Sequence, residues 1–209
     1  MAANQKTNIN PMKKYILGIW FINIIGILLS WDSLAGQSLQ FYGEKIEICI
    51  LGDNALVTGE YYFRNNTSHP IRRTLYYPFV INQNLPWPDS ISVYQVSEKK
   101  SLTCRKAKEG ILFTLQVPAD SRVIYKVTYR QQTPNQKMEY ILTTTQKWGH
   151  PLVFAEYSII LPKEFKLLDI SLVPDSSQSI KHKQIIKINR QNYLPTKNLT
   201  LYWKSEVLK

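Results

Sequence analysis

Lys45-Ile-Glu-Ile-Cys-Ile-Leu51 decides the fold. Ile46, Ile48 and Ile50 fall on one face of an extended segment, with Glu47 and Cys49 on the other. That period of two is the mark of a half-buried strand. Gly52-Asp-Asn54 follows as a turn, and Ala55-Leu-Val-Thr-Gly-Glu-Tyr-Tyr-Phe-Arg64 reads as a second strand, with Gly59 as a bulge. The two predict a hairpin.

The pattern then repeats. Asn65-Asn-Thr-Ser-His-Pro70 is a cluster of turn residues. A strand over 71–77 is closed by Pro78, which has no N–H for a ladder. After a loop over 82–90, strands are predicted at 91–96, 102–106, 111–117, 123–130, 138–144, 152–161, 167–173, 184–188 and 199–203. The stretch 162–168 suits a single helical turn. No segment after residue 40 carries a capped 3.6-residue stripe. About eleven or twelve short strands with punctuating turns predict an all-β, antiparallel two-sheet β-sandwich, Ig-like or similar, with a closed barrel as the alternative.

Ahead of the strands lies a different kind of sequence. Residues 1–11 are polar. Lys13 and Lys14 precede an apolar segment over 15–31, and Ser33-Leu34-Ala35 sets small residues before Gly36. This is the pattern of a signal peptide spanning 1–35, with a hydrophobic signal helix and a cut before Gly36. The apolar run is shorter than the ~20 residues of an ordinary membrane span, so contact with a membrane is expected only through an uncleaved leader. Residues 36–209 then form a single domain in the periplasm, the cell envelope or the extracellular space.

The formal charge is +11; the leader holds three lysines and one aspartate, so its removal leaves +9. Such a surface favours anionic partners. Export argues against nucleic acid and for an anionic surface or another envelope or extracellular protein. In an oxidising compartment the even pair Cys49 and Cys104 reads either as one disulfide or as two free thiols.

Gly59-Glu-Tyr-Tyr-Phe-Arg-Asn-Asn-Thr-Ser-His-Pro-Ile-Arg-Arg-Thr-Leu-Tyr-Tyr-Pro-Phe79 carries a family likeness. A strand ending in an asparagine turn, then a strand ending in Tyr-Pro, resembles secreted β-sandwich domains of the vault and inter-alpha-trypsin type and uncharacterised bacterial secreted domains. The resemblance implies a sandwich and no activity.

Motifs for chemistry are sparse. His69, His150 and His182 form no His-Glu-x-x-His pair, there is no Cys-x-x-Cys, and neither a Gly-x-Ser-x-Gly elbow nor a glycine-rich phosphate loop occurs. No catalytic residue, metal site or cofactor is predicted. Glu139, Glu156 and Glu164 are candidates for sugar hydrolysis only in being carboxylates. Aromatic residues in loops are a softer signal, since exposed rings stack on sugars or anchor partners. Trp87 lies between two prolines, and Trp148 stands beside His150. Lys181, Lys183 and Lys187 share strand parity and make a basic stripe. Tyr61-Tyr62 and Tyr76-Tyr77 each send one ring to either face of a strand. Asn65, Asn66 and Asn198 begin N-glycosylation sequons, and no glycans are expected in a chain rich in Ile, Lys and Asn. The sequence thus predicts a non-catalytic, exported binding or structural module, with a carbohydrate-binding protein or glycan-directed hydrolase as the alternative. Trp87, Trp148, His150, Lys181, Lys183 and Lys187 are its candidate binding residues.

Overall fold

The computed structural model describes residues 38–205, which are all-β; the leader lies outside the described residues. β1 (Leu39–Leu51) and β2 (Asn54–Asn65) form the expected hairpin. Gly52 in its turn has φ +62, a conformation that costs a residue with a Cβ about 1–2 kcal/mol. Then come β3 (Ile71–Pro78), β4 (Asp89–Gln95), β5 (Lys100–Leu102), β6 (Arg105–Ala107), β7 (Gly110–Val117), β8 (Arg122–Gln132) and β9 (Lys137–Tyr140). A short 3-10 helix, Thr143–Trp148, precedes β10 (Leu152–Pro162). The chain closes with β11 (Phe165–Ile170), β12 (Ser176–Ile180), β13 (Lys183–Tyr193) and β14 (Leu199–Ser205).

Eight strands make one large sheet in the order β12-β13-β10-β1-β2-β8-β4-β5, and two three-stranded sheets, β11-β14-β9 and β3-β7-β6, complete the structure. All three sheets feed one core. The large sheet contributes Ile46, Ile48, Val57, Tyr125, Val127, Tyr157 and Ile159, and the small ones contribute Met138, Leu199, Leu201, Ile111, Phe113 and Leu115. Each such aliphatic side chain, fully buried, contributes about 1.5–3 kcal/mol.

The architecture corrects the sequence reading in four respects. First, the sheet is mixed: β1 runs parallel to β10, with Gly43 opposite Phe154 and Cys49 opposite Ile160. Alternation is blind to direction, and a parallel pair needs a long crossover rather than a local turn. Second, the smaller layer is two sheets. Third, the predicted strand at 102–106 is two strands in different sheets, β5 on the edge of the large sheet and β6 in a small one. Fourth, the bulge is at Tyr42, where the β1–β2 register slips between Phe41 and Gly43. Gly59 pairs regularly with Ile46 and Val127. It is needed for space: a Cβ there would overlap the hydroxyl and ring of Tyr61.

Local differences follow. The strand expected at 138–144 ends at Tyr140 and gives way to the 3-10 helix, and in place of the helical turn at 162–168 the chain ends β10 at Pro162, turns at Lys163 and Glu164 and enters β11 at Phe165. β12, exposed throughout and rich in serine, is an edge strand without alternation. Cys49 and Cys104 are free thiols, which answers the disulfide reading. Cys49 sits between the buried Ile48 and Ile50, on the opposite face of β1 from the core. Cys104 packs against the core between β5 and β6. Among the described residues no helix is long and apolar enough to cross a membrane.

Candidate functional site

The seam between the two small sheets leaves a cavity of about 320 Å³ over the middle of the large sheet. β1 supplies Phe41 and Glu44, β2 supplies Tyr61 and Phe63, β3 supplies Leu75 and Tyr77, and β9 ends on Tyr140 at its wall. The 3-10 helix brings Thr145 and Trp148. The bulge explains how one strand delivers both Phe41 and Glu44. Before Tyr42 the odd positions face inward, and after it the even positions do, so Glu44 continues the inward phase of Ile46, Ile48 and Ile50.

Glu44 is a carboxylate at 3% exposure. It accepts a hydrogen bond of 2.7 Å from the Tyr157 hydroxyl. Burial pushes its pKa up to about 7, against the smaller opposing effect of that hydrogen bond. Three phenols stand beside it. The Tyr61 oxygen lies 2.7 Å from that of Tyr77 and 2.5 Å from that of Tyr140, and the Tyr77 and Tyr140 oxygens are 3.2 Å apart. Burial raises the pKa of Tyr77 to about 12 and those of Tyr61 and Tyr140 well above the phenol value. The triangle is therefore neutral at physiological pH. Tyr129 hydrogen-bonds Tyr77 as well, so four hydroxyl protons serve four contacts, which leaves lone pairs and no spare phenol donor. The polar floor of the cavity is rich in acceptors. Its walls are ring faces: Trp148 lies 5.7 Å from Phe41 and 5.6 Å from Phe63, centroid to centroid. Arg73 and Lys147, both exposed, are the cations of its lining.

The candidate residues from the sequence do not converge. Trp148 lines the cavity. His150, just beyond it, has Nδ1 3.1 Å from the Pro151 carbonyl and a buried, unpartnered Nε2. Trp87 is half-buried elsewhere, edge-on to Phe79 at 5.7 Å and with the Lys106 ammonium 4.1 Å above its ring. Lys183 and Lys187 are exposed on the outer face of β13, and Lys181 occupies the β12–β13 turn at φ +52. Glu156 is paired with Lys45 at 2.9 Å on the outer face of the large sheet, Glu139 accepts from Asn198 at 2.9 Å, and Glu164 is exposed in the β10–β11 connection. The Asn65 amide donates to the His69 and Pro118 carbonyls at 2.7 and 2.9 Å, so its sequon serves a turn. Among the described residues no group of three or more His, Cys, Asp or Glu is placed to hold a metal ion.

Glu44, Tyr61, Tyr77 and Tyr140 were missed as a site. A signal for Glu44 existed: it is the acid in phase with Ile46, Ile48 and Ile50. The split of the tyrosine pairs holds by burial, with Tyr61 and Tyr77 more covered than Tyr62 and Tyr76, though Tyr76 also edges the cavity. That these rings meet Tyr140 depends on pairing between distant strands, which spacing does not reveal.

No family model matches the chain, and no curated protein does. By fold it is similar to a protein of proposed nutrient-binding role from Legionella pneumophila, with a TM-score of 0.64 and 11% identity, over 78% of this chain and 66% of that one. It is also similar to the M1 zinc metallopeptidase from Deinococcus radiodurans, with a TM-score of 0.46 and 8% identity, over 79% of this chain and 42% of that one. The chain spans about two thirds of the first and less than half of the second. At such identity the likeness concerns the fold.

Proposed function

We propose that this protein is a non-catalytic binding module and that the seam cavity receives a small zwitterion, ammonium end inward. The observation that carries this reading is Glu44, a carboxylate held in an aromatic cavity with a polar floor that has acceptors and no spare donor. An ammonium group satisfies such a floor, and the ring faces of Phe41, Phe63 and Trp148 favour it further. Arg73 and Lys147 oppose a bare cation and suit an anionic outer end. A nutrient-binding role is the one proposed for the Legionella protein of like fold, and the same class of role is proposed here. With the leader reading, the module works outside the cytoplasm. Its basic exterior, Lys183 and Lys187 included, then faces an anionic surface or another protein of the envelope.

Isothermal titration with amino acids and betaines, against matched carboxylic acids and neutral sugars, tests the reading. Amino acids bind, and Glu44→Gln weakens them about ten- to hundredfold, as expected for a charge-assisted hydrogen bond; betaines, whose quaternary nitrogen has no N–H to donate, bind more weakly. Binding strengthens as pH rises through about 7, where Glu44 ionises. The neighbouring Tyr61, Tyr77, Tyr140 and Tyr157 stay neutral throughout that range. Absence of binding by every zwitterion at millimolar concentration overturns the reading. Trp148 in the cavity wall favours one second reading, a glycan stacked on its ring. Sugar binding that Trp148→Ala abolishes and Glu44→Gln leaves intact selects it.

A further inference from the structure

A second cavity, of about 390 Å³, opens between the β4–β5 edge of the large sheet and β7. Like the first it is lined by two cations, but it has no acid and only one aromatic ring. Among its lining residues is Gln95, 2% exposed, whose Nε2 has no hydrogen-bond partner. An amide N–H₂ buried without an acceptor is unfavourable, and in native structures such a group calls for an explanation. Thr74, Thr103, Lys100 and Arg105 also line the cavity. Neither cation has an ion-pair or hydrogen-bond partner for its side chain among the described residues. No Asp or Glu lines the cavity. The nearest acid in sequence, Glu98, is exposed in the β4–β5 turn.

We infer that this cavity is a binding site for a small oxyanion, a phosphate or a carboxylate. The anion accepts from the Gln95 amide and is held by the Lys100 and Arg105 charges, with the threonine hydroxyls completing its shell. A planar guanidinium and a compact ammonium suit an oxyanion from two directions. The site arises because the chain leaves the large sheet at Leu102 and enters the small one at Arg105. That step spreads the two cations along one short segment and leaves Gln95 without a neighbouring acceptor. The site stands independently of the ligand proposed for the seam cavity.

Cys104 lines the same cavity, so its thiol reports on occupancy. In a Cys49→Ser background, labelling by the uncharged reagent iodoacetamide is followed at constant ionic strength with inorganic phosphate, succinate or glycerol. Phosphate or succinate slows the labelling of Cys104 at least severalfold, and glycerol does not; whichever anion protects more identifies the source. Arg105→Ser and Lys100→Ser each weaken the protecting anion about ten- to hundredfold, the usual effect of losing a charged partner. Gln95→Leu, close in volume and without the donor, abolishes protection while the circular-dichroism melt stays cooperative. Labelling indifferent to both anions at 10 mM (about the concentration where a ~1 mM affinity saturates) overturns the proposal, as does protection that survives Lys100→Ser and Arg105→Ser together.

Discussion

The two cavities differ in what they lack. The seam cavity has a buried acid, acceptors and aromatic walls; the edge cavity has cations, an orphan amide donor and no acid in its lining. Phe113 of β7 lines both. Each lies where the smaller layer is interrupted, one between its two sheets and the other where the chain crosses from sheet to sheet. A large sheet with a divided second layer thus leaves two cavities over one core, both edged by cations, and only the seam cavity adds a buried acid and aromatic walls.

That contrast can be broken from the seam side most strongly. Glu44 has its folded pKa raised to about 7 from 4.5. Between those values the unfolded chain releases a proton that the folded chain keeps, so stability falls as pH rises through this window and levels off above it. The full loss is about 3 kcal/mol. Glu44→Gln, whose amide oxygen can still accept from Tyr157, is expected to raise unfolding free energy at pH 8 by up to about that amount and to flatten its dependence between pH 4.5 and 7. Urea melts across pH measure this, and a variant no more stable than the parent at pH 8 shows that the acid is not held at strain. Gly59→Ala comes next. Its methyl displaces Tyr61, for a loss of about 1–3 kcal/mol as overpacking, and it disturbs ligand binding in the seam without altering protection of Cys104. Tyr140→Phe is the smallest change, about 1 kcal/mol for one hydrogen-bonded hydroxyl. It frees a phenol donor on Tyr61 or Tyr77, so it weakens an ammonium ligand and leaves the edge cavity untouched.

The sequence made some of this legible and hid the rest for physical reasons. The β1–β2 hairpin could be read because alternation and a glycine turn are local. The all-β class followed from the same signal repeated. Direction and sheet membership could not be read, because Leu102 and Arg105 look like one strand until their partners are known. The exposed serine-rich β12 has no inner face to betray it. Trp148 was found as a loop aromatic and is part of the seam wall. Trp87 looked similar but lies under Lys106 and against Phe79. Glu44 was within reach of a phase argument, whereas the phenol triangle needed residues 79 positions apart to meet.

The parallel partnership of β1 and β10 has a consequence in time. β1 is an interior strand, yet the segment that covers its second edge is synthesised more than a hundred residues later. Until that segment emerges, the nascent sheet cannot close on this side, and a topology dominated by remote pairings folds slowly. Over that interval the second edge of β1 stays open to pairing with any other strand that reaches it.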